Sequence, residues 1–176
     1  MRTLIKDIVN LEDKEAELAG FVAVRRDHGK IIFIDIRDRS GVLQLVFIPK
    51  DKEVYENATK LRSEWVIRVN GTINKRPENM VNPNSPLGKH EMLVTKLKIL
   101  SEAQTPPFDL STTGYEVGEE TRMKYRYIDL RRARLARNIK ARSKTLAVLD
   151  DYLKKLDFVE VETPILGKST PEGARD

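Results

Sequence analysis

An aromatic ring, a carboxylate and a guanidinium group recur at a spacing of two residues, at Phe33, Asp35 and Arg37. The residues between them are isoleucines, so a β-strand would bury the isoleucines and turn the three other side chains to its opposite face. Gln44 lies among apolar neighbours on the next alternating segment. An exposed ring beside polar groups is typical of a surface for single-stranded nucleic acid, since the ring stacks on a base and an amide pairs with a base edge. Spacing alone leaves open that Phe33 packs in the core and that Gln44 is an ordinary surface residue.

Two basic regions add to this pattern. Arg25 and Arg26 could neutralise phosphates of the same nucleic acid, and they begin the stretch RRDHGK (25–30), which we expect to form a charged turn. Residues 121–155 hold twelve Lys and Arg against three acids. Such a block indicates a polyanionic partner, and the alternative is a solvated helix face.

Other chemistry is restricted by composition. The 176 residues include no cysteine and two histidines, which excludes disulfides, thiolate metal sites and a cysteine nucleophile, and we expect no metal site. The longest apolar runs have four residues and the N-terminal segment has no apolar stretch of a secretory signal, so we expect a cytoplasmic protein with no membrane partner. Glu172, in a loop bounded by Pro and Gly, could hold an ammonium group or be an ordinary loop glutamate.

The first hundred residues predict a small barrel. Gly20 indicates a bulge or a bend, and Asn70-Gly71 indicates a bulge rather than a hairpin, because the runs beside it are short. The β-β-β-α-β-β order matches the OB-fold, a β-barrel whose second and third strands face oligonucleotides. The strands are expected at 17–24, 31–38, 42–48, 65–73 and 90–100, with a short helix after Asp51.

The rest of the chain has a different pattern. Apolar residues at helical spacing predict a long helix at about 134–156, and FVEVET (158–163) predicts a short strand. One helix and one strand do not make a domain, so we expect a truncated second domain of the α+β class. The expected organisation is an OB domain at 1–104, a linker rich in Pro, Ser, Thr and Gly at 105–120, and the start of a second domain at 121–176.

Two segments carry a family resemblance that extends over nearly the whole chain. RYIDLRR (126–132) and FVEVETPILGKSTPEGARD (158–176) resemble bacterial-type aspartyl-tRNA synthetases, which are class II aminoacyl-tRNA synthetases. In that family the first segment opens the catalytic domain, the long helix and following strand form motif 1, and STPEGARD is the loop that closes over the substrate. RRDHGKIIFIDIRDRSGVLQLVF (25–47) resembles the anticodon-binding OB domain of the family.

The resemblance implies a role for each matching residue. Phe33 would stack on the anticodon, Gln44 would read its middle base, and Arg25 and Arg26 would contact the anticodon loop. Glu172 would bind the ammonium group of the substrate aspartate.

Dimerisation and tRNA specificity are also implied by the resemblance. Pro164 and the motif 1 helix would form a homodimer interface. His28 stands where the family tends to have Leu in enzymes specific for aspartate tRNA and His in those that also charge asparagine tRNA. Asn79 stands where the second group often has Gly, so the two positions disagree and both specificities stay open.

The implied reaction joins aspartate to tRNA at the expense of ATP, with Mg²⁺, and the chain ends before the family's motifs 2 and 3. We therefore expect this chain alone to be inactive and to carry the anticodon-recognition part of an aspartate–tRNA ligase. The alternative is a free-standing tRNA-binding OB module without catalysis, and a related asparaginyl or lysyl ligase is a third possibility that STPEGARD argues against. Asp157 departs from the family's usual Gly after the helix, so it must adopt a left-handed conformation or end the helix differently.

Overall fold

The computed structural model describes residues 2–83 and 85–165, which form a barrel followed in the chain by helices. Two short 3₁₀ helices lie at Ile5–Leu11 and Glu78–Met80. The strands are β1 (Glu15–His28), β2 (Ile31–Arg37), β3 (Val42–Phe47), β4 (Val66–Lys75) and β5 (His90–Ser101), and the helices are α1 (Lys52–Lys60), α2 (Glu119–Lys124), α3 (Arg126–Asp129) and α4 (Ala133–Lys154).

The strands close into a barrel in the order β1-β2-β3-β5-β4. All neighbouring strands are antiparallel except β3 and β5, which run parallel over three residue pairs. Helix α1 connects β3 to β4, and the Asp51 carboxylate caps it by accepting a hydrogen bond from the Val54 N–H at 3.1 Å. The predicted OB-fold is confirmed, together with its order of elements.

The apolar side of each alternating strand fills the barrel. Strand β2 shows this most simply, because Ile32, Ile34 and Ile36 are at most 2% exposed while the residues between them are partly exposed. Burial of each isoleucine side chain contributes about 1.5–3 kcal/mol relative to exposure. This strongly fixes which face of β2 points inward, and therefore which side chains remain outside.

Strand β1 is long enough to pair with two partners. Its first half, up to Phe21, pairs with β4, and its second half pairs with β2. The charged turn expected at 25–30 is wrong in extent, because residues 25–28 continue β1 and only Gly29 and Lys30 turn the chain. Gly29 has a φ of 60°, the left-handed conformation that this two-residue hairpin loop needs at its first position.

The bulge predicted at Asn70-Gly71 is confirmed by a shift of register between these two residues in the β4–β5 ladder. A side chain cannot replace the glycine, because a Cβ atom there would lie 2.2 Å from the carbonyl oxygen of Leu93. A bulge at Gly20 is wrong, since β1 shifts register between Val22 and Val24, and the alternative of a bend at Gly20 stays a prediction.

Helix α4 confirms the predicted long helix, with ends one and two residues earlier. It ends in a Schellman motif, in which the Asp157 N–H donates to the Lys154 carbonyl and the Phe158 N–H donates to the Leu153 carbonyl, both at 3.2 Å. Asp157 has a φ of 62°, so the helix ends with a residue other than glycine in the left-handed conformation.

The strand predicted at 158–163 is wrong, since these residues are exposed and join no ladder within the described ranges. A β-strand forms only where a neighbour pairs with its backbone N–H and C=O groups. The sequence analysis also missed α2 and α3, whose six and four residues are too few to show helical periodicity.

The chain divides into two compact units, residues 1–132 and 133–176. Helices α2 and α3 thus group with the barrel, and the division at 104 and 121 stays a prediction about the domains of a longer protein. No helix in the described part of the chain is long and apolar enough to cross a membrane.

The segment RYIDLRR is organised around Asp129, whose side chain is fully buried. Its carboxylate accepts hydrogen bonds from Arg132 Nε at 2.9 Å and from Arg122 Nε and Arg126 at 3.1 Å. Burial opposes ionisation, but the hydrogen bonds from Arg132 and Arg122 outweigh it and hold the pKa of Asp129 below its usual value. Arg132 is itself fully buried and donates to the Thr112 carbonyl at 3.0 Å, so the pair joins α3 to the segment before α2.

Arg131 ties the same segment to the barrel. Its guanidinium pairs with Glu64 and lies 4.6 Å from the centre of the Phe21 ring. Glu64 is 7% exposed and also accepts from Arg37 at 2.8 Å. The carboxylate therefore compensates two arginines at once.

We predict that Asp129 makes the stability of this unit acid-sensitive. Because its folded pKa lies below the unfolded value of about 3.8, its stabilisation is complete above that pH and is lost as pH falls through the folded pKa. Asp129→Asn should remove about 3–5 kcal/mol at pH 7, since the buried Arg132 loses its counter-charge, and it should reduce the fall in stability on acidification. Urea unfolding followed by fluorescence of Trp65, the one tryptophan of the sequence, measures both.

The matched control is Glu56→Gln, which removes an exposed carboxylate paired with Lys52 and should cost less than about 1 kcal/mol. An Asp129→Asn variant with the wild-type stability and pH profile would contradict this account of the segment.

Candidate nucleic-acid interface

The outer face of the barrel carries Phe33 in a row of cross-strand neighbours. Phe33 lies opposite Arg26 of β1 and Val46 of β3, and Val46 lies opposite Leu93 of β5. Phe33 is partly exposed and does not belong to the buried core cluster, which excludes the alternative that it fills the core. The ring stands on the outer surface between a guanidinium group and aliphatic side chains.

The adjacent row across the sheet is polar. Asp35 of β2 pairs in register with Gln44 of β3, and Gln44 pairs with Glu91 of β5. An aromatic ring beside a row of hydrogen-bonding groups offers a stacking surface for a base and partners for its edge.

Arg26 joins the two rows. Its guanidinium forms a two-pronged ion pair with the Asp35 carboxylate, with N···O distances of 3.0 and 2.8 Å, and a longer hydrogen bond of 3.3 Å to Gln44 Oε1. Half of the Arg26 side chain is exposed, against 21% of Asp35. The arginine is thus held in place and still open to an anion from outside.

Both ends of the Gln44 amide are engaged. Its oxygen accepts from Arg76 at 2.9 Å as well as from Arg26, and its nitrogen donates to Glu91 at 3.0 Å. Arginine only donates and a carboxylate only accepts, so these partners fix which end of the amide is which. Gln44 is held in one orientation on the outer face, as base recognition requires.

Arg76 and Glu91 were missed by the sequence analysis. Arg76 follows β4 and its Nε lies 3.2 Å from a Glu91 carboxylate oxygen, although the two residues are far apart in the sequence. One signal was available, because Glu91 stands between the buried His90 and Met92 at the start of β5 and therefore points outward. No local pattern marks Arg76.

The two arginines that the sequence placed together differ in role. Arg25 forms an ion pair with Asp27, with N···O distances of 3.0 and 2.7 Å, and donates to the Thr59 carbonyl at the end of α1. It links β1 to α1 and has less to offer a ligand than Arg26. His28 is exposed at the end of β1, beside the hairpin turn.

The basic block at 121–155 divides into two sets. In and directly after α2 and α3 the arginines form ion pairs with acidic residues. Asp129 pairs with Arg122, Arg126 and Arg132, and Glu64 pairs with Arg131. In α4 the basic side chains other than Arg134 are exposed, and within residues 2–83 and 85–165 four of them have no ion pair: Arg137, Lys140, Arg142 and Lys144. The number of basic residues at 121–155 is therefore larger than the number of positive side chains that a partner could contact.

The remaining predicted site residues lie near the end of the chain. Pro164 is described and exposed, whereas Glu172 and the STPEGARD loop lie outside the described residues. Among the residues that the structure describes, no group of three or more His, Asp or Glu could hold a metal ion.

Two family models match the chain. Residues 16–100 match the OB-fold nucleic acid binding domain, and residues 118–176 match the class II tRNA synthetases (D, K and N). The first match contains every residue of the outer-face cluster, which consists of Arg26, Phe33, Asp35, Gln44, Arg76 and Glu91.

Curated relatives are similar over almost the whole chain. An "Aspartate--tRNA(Asp/Asn) ligase" of Halothermothrix orenii is 51% identical over 93% of this chain, and one of Protochlamydia amoebophila is 50% identical over 98%. The chain spans about 28% of the length of these relatives.

Among solved structures, asparaginyl-tRNA synthetase from Pyrococcus horikoshii, complexed with asparaginyl-adenylate, aligns with a TM-score of 0.79 at 26% identity. The alignment covers 94% of this chain and 37% of that one. The aspartyl-tRNA synthetase of Entamoeba histolytica aligns with a TM-score of 0.82 at 19% identity, covering 94% of this chain and 40% of that one, which shows the fold alone.

We predict that Phe33 and its neighbour Ile34 differ sharply in their contribution to stability. Ile34→Ala should cost about 2–5 kcal/mol because it leaves a cavity in the barrel. Phe33→Ala should cost less than about 2 kcal/mol, because the ring stands on the outer face and its removal leaves no enclosed void. Urea unfolding followed by Trp65 fluorescence compares the two, and an equal loss would return Phe33 to the core.

Proposed function

The chain belongs to the aspartyl-tRNA synthetase family of class II tRNA synthetases, and from this premise we propose that the protein to which it contributes is an aspartate–tRNA ligase. In this proposal the barrel binds the anticodon loop of the tRNA, and the complete enzyme attaches aspartate to the tRNA with ATP. The observation that carries the proposal is the outer-face arrangement of Phe33 beside a fixed Gln44.

The arrangement supports a division of labour on the anticodon. The Phe33 ring stacks on an unpaired base whatever its identity, since every base has a π-face. Gln44 reads the edge of the middle base, because its amide can donate and accept at the same time. Arg26 supplies charge for a phosphate, and Arg25 adds a weaker contribution from the same strand.

Arg76 and Glu91 serve this reading by orienting the Gln44 amide. A base edge that replaces the Glu91 partner of Gln44 Nε2 exchanges one hydrogen bond for another. Only a base with matching groups makes this exchange without leaving a polar atom unpaired, which is costly at a partly buried site. Selectivity therefore comes from the penalty on wrong bases more than from a large gain with the right one.

The proposed reaction needs ATP and Mg²⁺, and among the described residues no group of three or more His, Asp or Glu could hold a metal ion. We assign both to parts of the longer protein, consistent with the share of its relatives that this chain spans. Glu172 is proposed to bind the ammonium group of aspartate, on the resemblance of STPEGARD to the substrate-closing loop.

We propose that α4 and Pro164 form a homodimer interface, as the resemblance to motif 1 implies. The support from the structure is a stripe of apolar side chains on α4 that is exposed in the single chain. Its members Ile139, Leu146 and Leu149 are each more than 50% exposed. A second copy packed on this stripe removes that apolar surface from water.

We propose that the enzyme acts in the cytoplasm, where tRNA is charged, and that it uses both aspartate and asparagine tRNA. Support comes from His28 and from relatives at about 50% identity whose names give tRNA(Asp/Asn). His28 is exposed next to the outer-face cluster, where it can contact the anticodon loop.

We predict that three substitutions weaken RNA binding in different ways. Phe33→Ala should cost about 1–3 kcal/mol with any base, since only the stack is lost. The loss from Gln44→Ala should shrink when the middle anticodon base is changed, because the lost contact is a hydrogen bond to that base. Arg26→Ala should flatten the salt dependence of binding to the natural stem-loop by about one phosphate contact, because this arginine supplies the charge for a phosphate.

Titration of anticodon stem-loop RNAs by fluorescence anisotropy measures all three, with Arg39→Ala as a control for charge at an exposed residue beyond β2. Unchanged affinity in both Phe33→Ala and Gln44→Ala, with native melting, would refute the anticodon surface.

A second prediction concerns His28. The complete enzyme should aspartylate asparagine tRNA as well as aspartate tRNA, and His28→Leu should lower the ratio of the two rates by about tenfold, a difference of the size that one changed contact supplies. Lys30→Ala, in the same hairpin turn, is the control and should leave the ratio unchanged. Complete rejection of asparagine tRNA by the wild-type enzyme would contradict the broader specificity.

A third prediction tests the homodimer. Leu146→Asp should weaken self-association by more than about tenfold, since each copy loses a buried leucine and gains a charge in the interface. Val148→Asp is a matched control, because Val148 is exposed to a similar extent but lies on the other side of α4. Sedimentation velocity over a range of protein concentrations distinguishes the two, and equal effects would argue against the stripe as the interface.

A further inference from the structure

The outer-face cluster contains a carboxylate where an RNA-binding surface would be expected to avoid one. Asp35 lies two residues from Phe33 on the same face of β2. Its two oxygens occupy both arms of the Arg26 guanidinium, at 3.0 and 2.8 Å. This two-pronged geometry is the one that arginine also uses for phosphate.

The ion pair with Asp35 lowers the binding free energy that a phosphate can gain from Arg26. A phosphate at the remaining N–H groups of Arg26 would meet a guanidinium already neutralised by Asp35. A phosphate that takes the two-pronged position must displace Asp35, so one charge-assisted pair is exchanged for another. The displaced carboxylate then remains beside the phosphate and repels it. The net gain from the RNA backbone is therefore small, whichever RNA carries the phosphate.

The Asp35 carboxylate does not lower the binding free energy of contacts with bases in the same way. The Phe33 ring is partly exposed and has no charged partner to lose. The Gln44 amide is itself uncharged, and its oxygen already shares Arg26 with Asp35. The Glu91 carboxylate that a base edge would replace at the Gln44 nitrogen keeps its ion pair with Arg76. Bases that fit these two side chains can offset the cost of separating Arg26 from Asp35, whereas a backbone alone cannot.

We propose that Asp35 is a specificity-determining residue that acts through Arg26. Its carboxylate occupies the phosphate position of Arg26 in the unbound protein and makes release of the arginine depend on a matching base at Phe33 and Gln44. Asp35 thus lowers the affinity for wrong RNA more than the affinity for the right one, which is how repulsive elements create specificity. This role rests on the proposed binding of the anticodon loop at the same face.

The chain offers a close comparison in Asp27, which forms an equally close pair with Arg25. The Asp27 side chain is 57% exposed, and Arg25 is also held by the Thr59 carbonyl. Removal of the Asp27 charge therefore leaves Arg25 anchored away from the ring. Asp27→Asn removes one negative charge from the same strand pair without releasing Arg26.

The experiment measures the affinity of the chain for two anticodon stem-loops, one from aspartate tRNA and one with its middle base changed, over a series of salt concentrations. Asp35→Asn should tighten binding of the altered stem-loop by about three- to tenfold and that of the natural one by less. For the altered stem-loop, the slope of log K against log salt should steepen by about 0.7, the value for one added phosphate contact on a single strand. Asp35→Ser should behave like Asp35→Asn if loss of the carboxylate is the cause, and Asp27→Asn should change neither quantity.

The double variant Arg26→Ala/Asp35→Asn tests the route of action, because the steeper salt slope should disappear when the arginine is absent. Matched melting temperatures show that the fold is intact, and a purely structural role for Asp35 would not move the salt slope.

The outcomes separate this proposal from the function on which it rests. Suppose that Phe33→Ala weakens binding, while Asp35→Asn changes neither the ratio of the affinities for the two stem-loops nor the salt slope. The anticodon surface then stands and the role of Asp35 is refuted. Weaker binding by Asp35→Asn with native melting also refutes it, since the carboxylate would then make an attractive contact. If the wild-type chain binds both stem-loops equally and Phe33→Ala has no effect, the anticodon surface itself fails.

Discussion

The short parallel pairing of β3 with β5 is the contact on which the outer-face cluster depends. It joins only residues 44–46 to 91–93, yet it turns an open sheet into a barrel. The same pairing sets Glu91 beside Gln44, while the neighbouring β4 leads into Arg76. Without this closure, Gln44 would lie on an edge strand with neither partner, and its amide would have no fixed orientation.

The parts of this arrangement that the sequence could predict are those encoded locally. Alternation in β2 separates the buried isoleucines from Phe33 and Asp35, because side chains in a strand alternate whatever its partners. The bulge at Asn70-Gly71 is also local, since glycine there admits the backbone of the next strand. The partners of Gln44 could not be predicted, because Arg76 and Glu91 reach it only through the pairing of distant strands. Periodicity equally failed for 158–163, where the residue types suit a strand but the described chain supplies no partner.

Counts of charge were the least reliable guide to surface chemistry. Arg132 contributes to the basic block at 121–155 but is fully buried and neutralised by Asp129. Within the barrel, Arg25 and Arg26 are consecutive in sequence, yet one links β1 to α1 and the other remains half exposed. The structure distinguishes arginines that stabilise the fold from those that can meet a ligand, and the difference lies in how much of each guanidinium stays exposed beside its carboxylate.

The double pairing of β1 has a consequence for the order in which a growing chain can fold. Its second half meets β2 across a two-residue turn, so this hairpin, which contains Arg26, Phe33 and Asp35, can form as soon as it leaves the ribosome. The first half of β1 must wait for β4, and closure of the barrel must wait for β5. During synthesis the strand pair that carries the ring and its ion pair is therefore complete before the strands that build the Gln44 site, but a lone hairpin is only marginally stable and gains a fixed surface when β4 and β5 join it.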